Sequence, residues 1–388
     1  MSERGRGKVS RTRDEGGTGT RKRLGVLVVI FLVSVGAVVL FQHLEKQGQA
    51  AHKDVMLEAS RLMQVGMEAI KACRESSGVL ANAADDVNAT GLIGQRYSSL
   101  TTTVGSLEAK RTSTNPNMAG LVAQLLLDAG ARRGDAVAIG ASGSFPALVL
   151  ATLCAAKVLG LEPILIYSLG ASQWGANELG FTWLEMEGCL LDRGILSYRV
   201  AALSLGGDAD RATELDPATG ASMRARAEAT GALVVESPDL VENVRQRMAI
   251  YREEARGARI AAFVNVGGTW ANIGTDPAVL DLEPGLDRVT SIPEPTRRGV
   301  LYEMAKDGIP IIHLLNLKGL VTRHGLPWDP VPLPSAGDGA IYHETSRASA
   351  WPLAISATYL ALILALAVVW RRPPFGRRGA AEPRRSVP

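Results

Sequence analysis

The feature that most constrains the fold is an alternation of short apolar runs with helical segments between residues 116 and 325. Asn115-Pro116, Asp216-Pro217 and Ser237-Pro238 each place a capping side chain before a proline, which is typical of helix starts. The predicted strands are 135–140, 163–168, 198–205, 232–236, 258–266 and 309–315. Short apolar strands separated by helices predict an α/β fold whose sheet is mostly parallel, doubly wound and about six strands wide.

Two runs without charged residues lie outside this region, at 24–41 and 351–370. Each is near the length of about 20 residues that crosses a bilayer core, so both are predicted to be transmembrane helices. A cleavable signal peptide is the alternative for the first run, but that run is longer than a signal core and no A-x-A site follows it. The sequence therefore predicts an α/β domain flanked by two single transmembrane helices.

Basic residues flank both runs. Residues 1–23 carry eight basic residues, Lys or Arg, and three acidic ones. Residues 371–388 carry six basic residues and one acidic residue, so each tail has a net charge of +5. The positive-inside rule then predicts a two-pass plasma-membrane protein with both termini cytoplasmic and the main domain extracytoplasmic. Subtracting the tails' combined +10 from the chain's net +3 leaves the middle at −7, which argues against nucleic acid as a partner.

These features divide the chain into seven segments. An amphipathic helix and a loop-rich stretch follow the first run, and a stretch with four prolines precedes the second. The predicted segments are a basic tail (1–23), a transmembrane helix (24–41), a stalk and lead-in (42–115), the α/β domain (116–325), a Pro-rich linker (326–350), a transmembrane helix (351–370) and a basic tail (371–388).

The loops that leave the predicted strands are rich in glycine with serine, threonine or asparagine. In a parallel sheet these loops surround the crevice beyond the carboxyl ends of the strands, where backbone amides can approach a ligand. The alternative is that such glycines only make tight turns. The candidate ligand-binding residues in these loops are Ser142, Gly143, Ser144, Ser172, Trp174, Gly206, Gly207, Asp208, Gly267 and Gly268.

A second candidate feature precedes the first helix of the domain. Lys110 and Arg111 are followed by Thr112 and further polar residues just before a helix start, a place where a carboxylate or phosphate can be held. A solvated loop is the alternative, because exposed Lys-Arg pairs are common. We include these three residues among the candidate ligand-binding residues.

Metal and cofactor motifs are not recognisable in the sequence, and no cofactor or metal is predicted. Asp208, Asp210, Glu214 and Asp216 are acidic neighbours, but their spacing fits no known cation loop and favours a solvated turn. Three cysteines without CxxC spacing do not indicate a disulfide framework. Cys154 is expected to be buried, and a bridge between Cys73 and Cys189 is left open.

Five strings of the sequence carry a resemblance to a known family. They are TGLIGQRYSSLTTTVGSLEAKRTSTNP, AIGASGSFPALVLATLCAAKVLGLEP, GASQWGANELGFTWLEME, SLGGDAD and FVNVGG, all within residues 50–320. The chain resembles the poly-gamma-glutamate system protein family of bacteria. That resemblance implies a role in the synthesis or export of poly-γ-glutamate, an anionic polymer made by a separate ligase, but it carries over no catalytic residue.

Three functions follow as expectations. The first is a membrane-anchored accessory component that binds poly-γ-glutamate or a γ-glutamyl ligand, with the membrane and the poly-γ-glutamate synthase complex as partners. The second is an enzyme acting on γ-glutamyl bonds, with Ser142 as nucleophile and Asp208 and His313 in a permissible chain order. GASGS departs from the nucleophile-elbow pattern, however, so no catalytic residue is assigned. The third is a carboxylate sensor or scaffold.

Overall fold

A computed structural model describes residues 16–342, 359–361 and 363–364. The chain divides into two compact units, one of residues 1–49 with 347–388 and the other of residues 50–346. In the first unit, Ser34 Oγ lies 2.5 Å from the hydroxyl oxygen of Tyr359. The second unit contains every strand described below.

Ten α-helices lie in the described part of the chain. They are α1 Gly16–Ser76, α2 Leu107–Ser113, α3 Asn117–Asp128, α4 Pro146–Leu159, α5 Trp183–Asp192, α6 Pro217–Ala229, α7 Leu240–Glu254, α8 Trp270–Ile273, α9 Val300–Lys306 and α10 Leu317–Arg323. Local sequence explains several ends. Asp216 caps α6 by accepting hydrogen bonds from two backbone amides, and Gly160 ends α4 in the left-handed conformation with φ +66°.

Nine strands accompany the helices in the described residues. They are β1 Thr101–Thr103, β2 Ala136–Ser142, β3 Glu162–Ser168, β4 Ala171–Ser172, β5 Ala202–Ser204, β6 Leu233–Val234, β7 Ile260–Val266, β8 Gly285–Asp287 and β9 Ile311–Leu314. Seven of them form the main sheet in the order β6-β5-β3-β2-β7-β9-β8, and β1 pairs with β4 in a small second sheet. The main sheet is mixed, because β8 runs antiparallel to β9 at one edge.

The prediction of flanking transmembrane helices is wrong. Crossing a bilayer takes about 20 predominantly apolar residues in one helix, and no helix within the described residues is long and apolar enough. The predicted span 24–41 is part of α1, which continues without a break to Ser76. Most of the span 351–370, and the tails 1–15 and 371–388, lie outside the described residues. The predicted two-pass plasma-membrane localisation depended on these spans, so that prediction is also wrong.

Helices cover both faces of the main sheet. One face packs against α3, α4 and the second half of α1, whose Met63 and Ile70 are fully buried. The other face packs against α7 and α9. A disulfide between Cys73 and Cys189 joins α1 to α5, while Cys154 is free and buried. Burial on both faces explains why the central strands are almost entirely apolar.

The helix connections reverse direction between β2 and β7. The chain leaves β2 through α4 on one face and pairs next with β3, whereas it leaves β7 toward α8 and α9 on the opposite face. Two neighbouring strands whose exits turn to opposite faces form a topological switch point, where parallel sheets most often bind ligands. The fold therefore places a crevice beyond Ser142 and Val266.

Candidate functional site

Polar side chains share one face of the sheet at the carboxyl ends of five adjacent strands. Ser204, Ser168 and Ser142 pair across β5, β3 and β2, and Asn265 pairs with His313 across β7 and β9. Earlier positions of the same face are apolar, for example Ala138 and Ile166. Since side chains alternate between faces along a strand, this polar row lies on the face covered by α7.

Arg247 of α7 lies over the serine end of the row and is fully buried. Its Nη2 is 2.7 Å from Asp210 Oδ2 and donates to Ser204 Oγ at 2.8 Å. Asn243 Oδ1 accepts from Arg247 Nε at 2.9 Å. A buried guanidinium held by a carboxylate and neutral oxygens satisfies the rule that buried charges must be paired. The ion pair between Arg247 and Asp210 therefore holds a guanidinium group at the carboxyl edge of the sheet without adding net charge.

The turn after β5 places Asp210 under Arg247. Gly206 and Gly207 have φ of +75° and +69°, and the following Ala209 and Asp210 also have positive φ, at +48° and +61°. Positive φ costs free energy at residues other than glycine. The turn is stabilised by Asp210 Oδ1, which accepts hydrogen bonds from Ser204 Oγ at 2.8 Å and Ser168 Oγ at 3.3 Å.

The α8 side of the crevice carries polar atoms without partners. Both side-chain atoms of the Asn272 amide, Thr269 Oγ1, Asn265 Oδ1 and Arg247 Nη1 are buried and make no hydrogen bond among the described residues. Buried polar atoms are almost always hydrogen-bonded, so a group of unpartnered ones calls for an explanation such as a ligand or water. Helix α8 contacts both α7 and the Asp208–Asp210 turn, so these atoms belong to one region.

Gly140 of β2 allows this close approach. A Cβ on Gly140 would lie 2.6 Å from Asn272 Oδ1, which is closer than atoms can come without displacement. The residue pairs with Asn265 in the neighbouring strand. The side-chain amide of Asn272 packs against the backbone of β2 and leaves no space for a side chain, which explains why this central strand contains a glycine.

His313 ends the polar row. Burial lowers the pKa of His313 to about 4, so the imidazole is neutral at neutral pH. Its Nδ1 lies 3.1 Å from Asn265 Nδ2, which also donates to the carbonyl oxygen of Gly267 at 2.7 Å. The neutral imidazole therefore accepts a hydrogen bond at Nδ1 and orients Asn265, leaving Asn265 Oδ1 as a free acceptor.

The structure brings several predicted residues of two strand exits together. A Cβ on Gly267 would lie 3.0 Å from Ser142 Oγ, so the exits of β2 and β7 touch at the switch point. Gly143 is packed against the β3 exit, where a Cβ would meet the Leu169 carbonyl oxygen at 2.8 Å. Gly268 is exposed at the mouth of the crevice. Ser142 is buried, and its Oγ accepts a hydrogen bond from the Ser144 amide at 3.3 Å.

Lys110 joins two other predicted residues at a neighbouring position. Its Nζ lies 2.7 Å from Ser172 Oγ and donates to the carbonyl oxygen of Ser144. It also lies 3.7 Å from the ring centroid of Phe145. Trp174, two residues after Ser172, has φ of +57° and a buried indole nitrogen without a partner among the described residues. Lys110 is thus a buried side chain, which rules out the alternative of a solvated loop at this residue.

Arg111 and Thr112 contact the Pro-rich segment instead of a crevice. Arg111 makes two hydrogen bonds to the Asp329 carboxylate, at 2.7 and 2.5 Å. Thr112 Oγ1 accepts from the Asp329 amide at 2.8 Å. The hydrogen-bonding groups of these residues are occupied by the protein, and their role in anion binding stays a prediction.

Gly206, Gly207 and Asp208 lie at the β5 exit. Gly206 is buried, whereas Asp208 is exposed and its amide donates to the Glu214 carboxylate at 2.9 Å. Among the described residues, neither Asp208 nor His313 makes a hydrogen bond to Ser142. The arrangement needed for Ser142 as a triad nucleophile is therefore not assembled. The described residues also contain no cluster of three or more His, Cys, Asp or Glu that could hold a metal ion.

Sequence reasoning missed four residues that dominate the crevice, Asn243, Arg247, Asn265 and Asn272, and it expected Asp210, which is buried, to lie in a solvated turn. One signal was available, because Asn265 interrupts an otherwise apolar strand, IAAFVNV. Arg247 has no comparable signal, since an arginine in a charged helix is usually exposed.

A groove lies at the opposite, amino edge of the sheet. It encloses about 720 Å³ beside the starts of β3, β5 and β6, and its charged lining residues are Glu162, Glu187, Arg199, Glu254 and Arg256. Burial raises the pKa of Glu187 to about 7, although the Val200 amide donates to its carboxylate at 2.8 Å.

Comparison of the chain with protein-family models, with curated proteins and with solved structures finds no match in any of the three. The interpretation of the crevice therefore rests on its own geometry.

Proposed function

We propose that the protein binds a carboxylate-bearing γ-glutamyl ligand, such as a stretch of poly-γ-glutamate, at the switch point between β2 and β7. The observation that carries this proposal is the buried Arg247 of α7, whose Nη1 has no partner among the described residues, together with the equally unpartnered amide of Asn272 on α8, a helix that contacts α7. In this role the protein is an accessory component of poly-γ-glutamate synthesis or export, with the synthase complex as its partner.

The unpartnered atoms match the repeat unit of such a ligand. Each γ-glutamyl unit presents a carboxylate, which accepts hydrogen bonds, and an amide that both donates and accepts. Arg247 Nη1 and Asn272 Nδ2 are donors for the carboxylate. Asn265 Oδ1 and Thr269 Oγ1 can accept from the ligand amide.

Charge restricts where a polyanion can bind. The middle of the chain is net −7 once the two tails are set aside, so it repels a polyanion at long range. Binding must then come from local donors within the crevice. The link to poly-γ-glutamate itself comes from the sequence resemblance.

Asn272→Leu tests this proposal in the full-length protein. Leucine has a similar volume and removes two buried atoms that have no partners, so thermal stability should be unchanged or higher. Affinity for oligo-γ-glutamate, measured by isothermal titration calorimetry, should fall by about 10-fold or more, because a hydrogen bond to a charged group is lost.

Gln124→Leu is the matched control. Gln124 is a buried amide on α3 whose Oε1 is also unpartnered in the described residues, so its replacement should stabilise the protein to a similar degree and leave affinity unchanged. A wild-type protein without measurable affinity for oligo-γ-glutamate would refute the proposed ligand. Equal affinity of wild-type and Asn272→Leu proteins would refute the proposed site.

A further inference from the structure

Lys110 and Ser172 form a buried lysine-serine contact beside the strand exits. Lys110 is 2% exposed and Ser172 is 5% exposed, and Lys110 Nζ is 2.7 Å from Ser172 Oγ. Burial lowers the pKa of Lys110 to about 7, while the Ser144 carbonyl and the Phe145 ring favour its charged form. Both the amine and the ammonium are thus populated near neutral pH, as a general base requires.

We propose that Ser172 is a nucleophile and Lys110 its general base in an acyl-transfer site that accepts an amide or ester carbonyl. Lysine replaces histidine as the base in serine-lysine variants of this chemistry. The 2.7 Å separation is within the range for direct proton transfer. The two side chains come from different elements, α2 and β4, which the fold brings together.

Surrounding contacts hold the nucleophile in place. The Ser172 amide donates to Ser144 Oγ at 3.0 Å, and β4 pairs with β1. Trp174 has a positive φ of +57°, a conformation that costs free energy and often occurs at functional sites. Its buried indole N–H has no acceptor among the described residues, so this donor, on a residue two positions after the nucleophile in the chain, is not occupied by the protein.

Gly105 lets the surface loop pack directly against the pair. A Cβ at this position would lie 2.8 Å from the Gln173 carbonyl oxygen, 3.3 Å from Ser172 Oγ and 3.4 Å from Lys110 Cε. Any side chain there would occupy the space next to both reacting groups. The neighbouring Val104 is 77% exposed, so the pair lies directly beneath a surface loop.

The reaction balances with these two groups and water. Ser172 Oγ attacks the carbonyl carbon while its proton passes to the neutral amine of Lys110, giving a tetrahedral oxyanion. The oxyanion collapses, the C–N or C–O bond breaks, and Lys110 returns the proton to the leaving amine or alkoxide. Water then attacks the acyl-Ser172 ester with Lys110 accepting its proton, and release of the acid restores the Ser172 hydroxyl.

This inference is independent of the proposed ligand-binding function, since it involves neither Arg247 nor Asn272. It differs also from the Ser142 hypothesis, because Ser142 makes no hydrogen bond to a general base among the described residues. Loss of oligo-γ-glutamate binding and loss of acyl transfer are therefore separately measurable.

A fluorophosphonate probe tests the pair in the full-length protein. The Ser172 oxygen should form a P–O bond with release of fluoride, and mass spectrometry should locate the adduct on Ser172. The labelling rate should rise with pH through an apparent pKa of about 7, as Lys110 loses its proton. Ser172→Ala should abolish the adduct.

Lys110→Arg separates a base from a structural anchor. Arginine keeps the positive charge and the donors that tie the loops together but does not become neutral, so labelling should fall by about 100-fold or more while the thermal melting temperature changes little. Lys318→Met is the control, because Lys318 also lies over an aromatic ring, 5.8 Å from the Trp328 centroid, and should label as wild type. Absence of a Ser172 adduct in the wild-type protein, or wild-type labelling of Lys110→Arg, would overturn the inference.

Discussion

The two edges of the main sheet differ in what they offer a ligand. The amino edge has a groove of about 720 Å³ lined by charged residues. Arg256 in this groove is 84% exposed and paired with Glu254, so its charge is met by water and by a neighbour. The carboxyl edge instead buries Arg247, Asn265 and Asn272, each with a polar atom that has no partner in the described part of the chain. Unsatisfied hydrogen-bonding groups, rather than volume, therefore indicate the binding site.

The difference has a structural cause. At the carboxyl edge, Gly140 within β2 lets α8 sit close to the strand, since a Cβ there would lie 2.6 Å from Asn272 Oδ1. Close packing excludes water and makes each polar contact stronger. At the amino edge, the connecting loops carry charged side chains that extend into solvent.

Breaking the buried ion pair should have the largest effect on stability. Arg247→Met should lower the free energy of unfolding by about 3–5 kcal/mol, because it leaves the Asp210 carboxylate buried without its cation. Chemical denaturation measures the change. Arg256→Met at the amino edge is the control and should change stability by less than about 1 kcal/mol. Equal losses of unfolding free energy in the two variants would show that the arginines at the two edges do not differ in their contribution to stability.

Acid should destabilise the carboxyl edge through His313. Its pKa is about 4 in the folded protein, against the ordinary histidine pKa of 6.5 in the unfolded chain, so the unfolded chain binds more protons between these values. Stability is therefore complete above about pH 6.5 and falls as the pH decreases toward 4, by up to ~3 kcal/mol. His313→Gln should flatten this part of the stability profile measured by denaturation. An unchanged slope in the variant would show that His313 is not its source.

Glu187 should produce a smaller effect of opposite sign at the amino edge. Its pKa is about 7 in the folded protein, against the ordinary glutamate pKa of 4.5 in the unfolded chain, so the folded protein binds more protons in that interval. Stability contributed by Glu187 is complete below about pH 4.5 and is lost as the pH rises through 7. Glu187→Gln should therefore stabilise the protein at pH 8 by ~2 kcal/mol and much less at pH 4.5. The gain at pH 8 is smaller than the pKa difference alone implies, because water in the groove partly solvates the charged carboxylate. Equal stabilisation at both pH values would contradict this cause.

The sequence allowed most elements of the sheet to be located. The predicted helix start at Asp216-Pro217 coincides with the start of α6, and each of the six predicted strands overlaps an observed one. The seventh strand of the main sheet, β8, was missed. It has only three residues and pairs antiparallel at the edge, and three residues are too few to show an alternation of apolar and polar side chains. The apolar runs were misinterpreted, since the first is part of the continuous helix α1.

The candidate site could be predicted only in part. Gly143 and Gly267 were identified as strand exits, because turn chemistry is local. Lys110 was identified as a candidate anion-binding cation, but its burial against Phe145 and Ser172 was not foreseen. Nothing local distinguishes a buried lysine from an exposed one when its partners come from distant strand exits.

The sequence by itself determined the alternation of strands and helices and the glycine-rich turns that follow the strands, because both depend on contacts between near neighbours in the chain. Only the tertiary structure decided that Arg247 meets Asp210 and that Asn272 lies against Gly140. These contacts are between separate elements, which are brought together by the strand order of the sheet and by the reversal of the helix connections between β2 and β7. Strand order is set by the packing of whole layers, so residue patterns within one segment do not reveal which polar groups will converge.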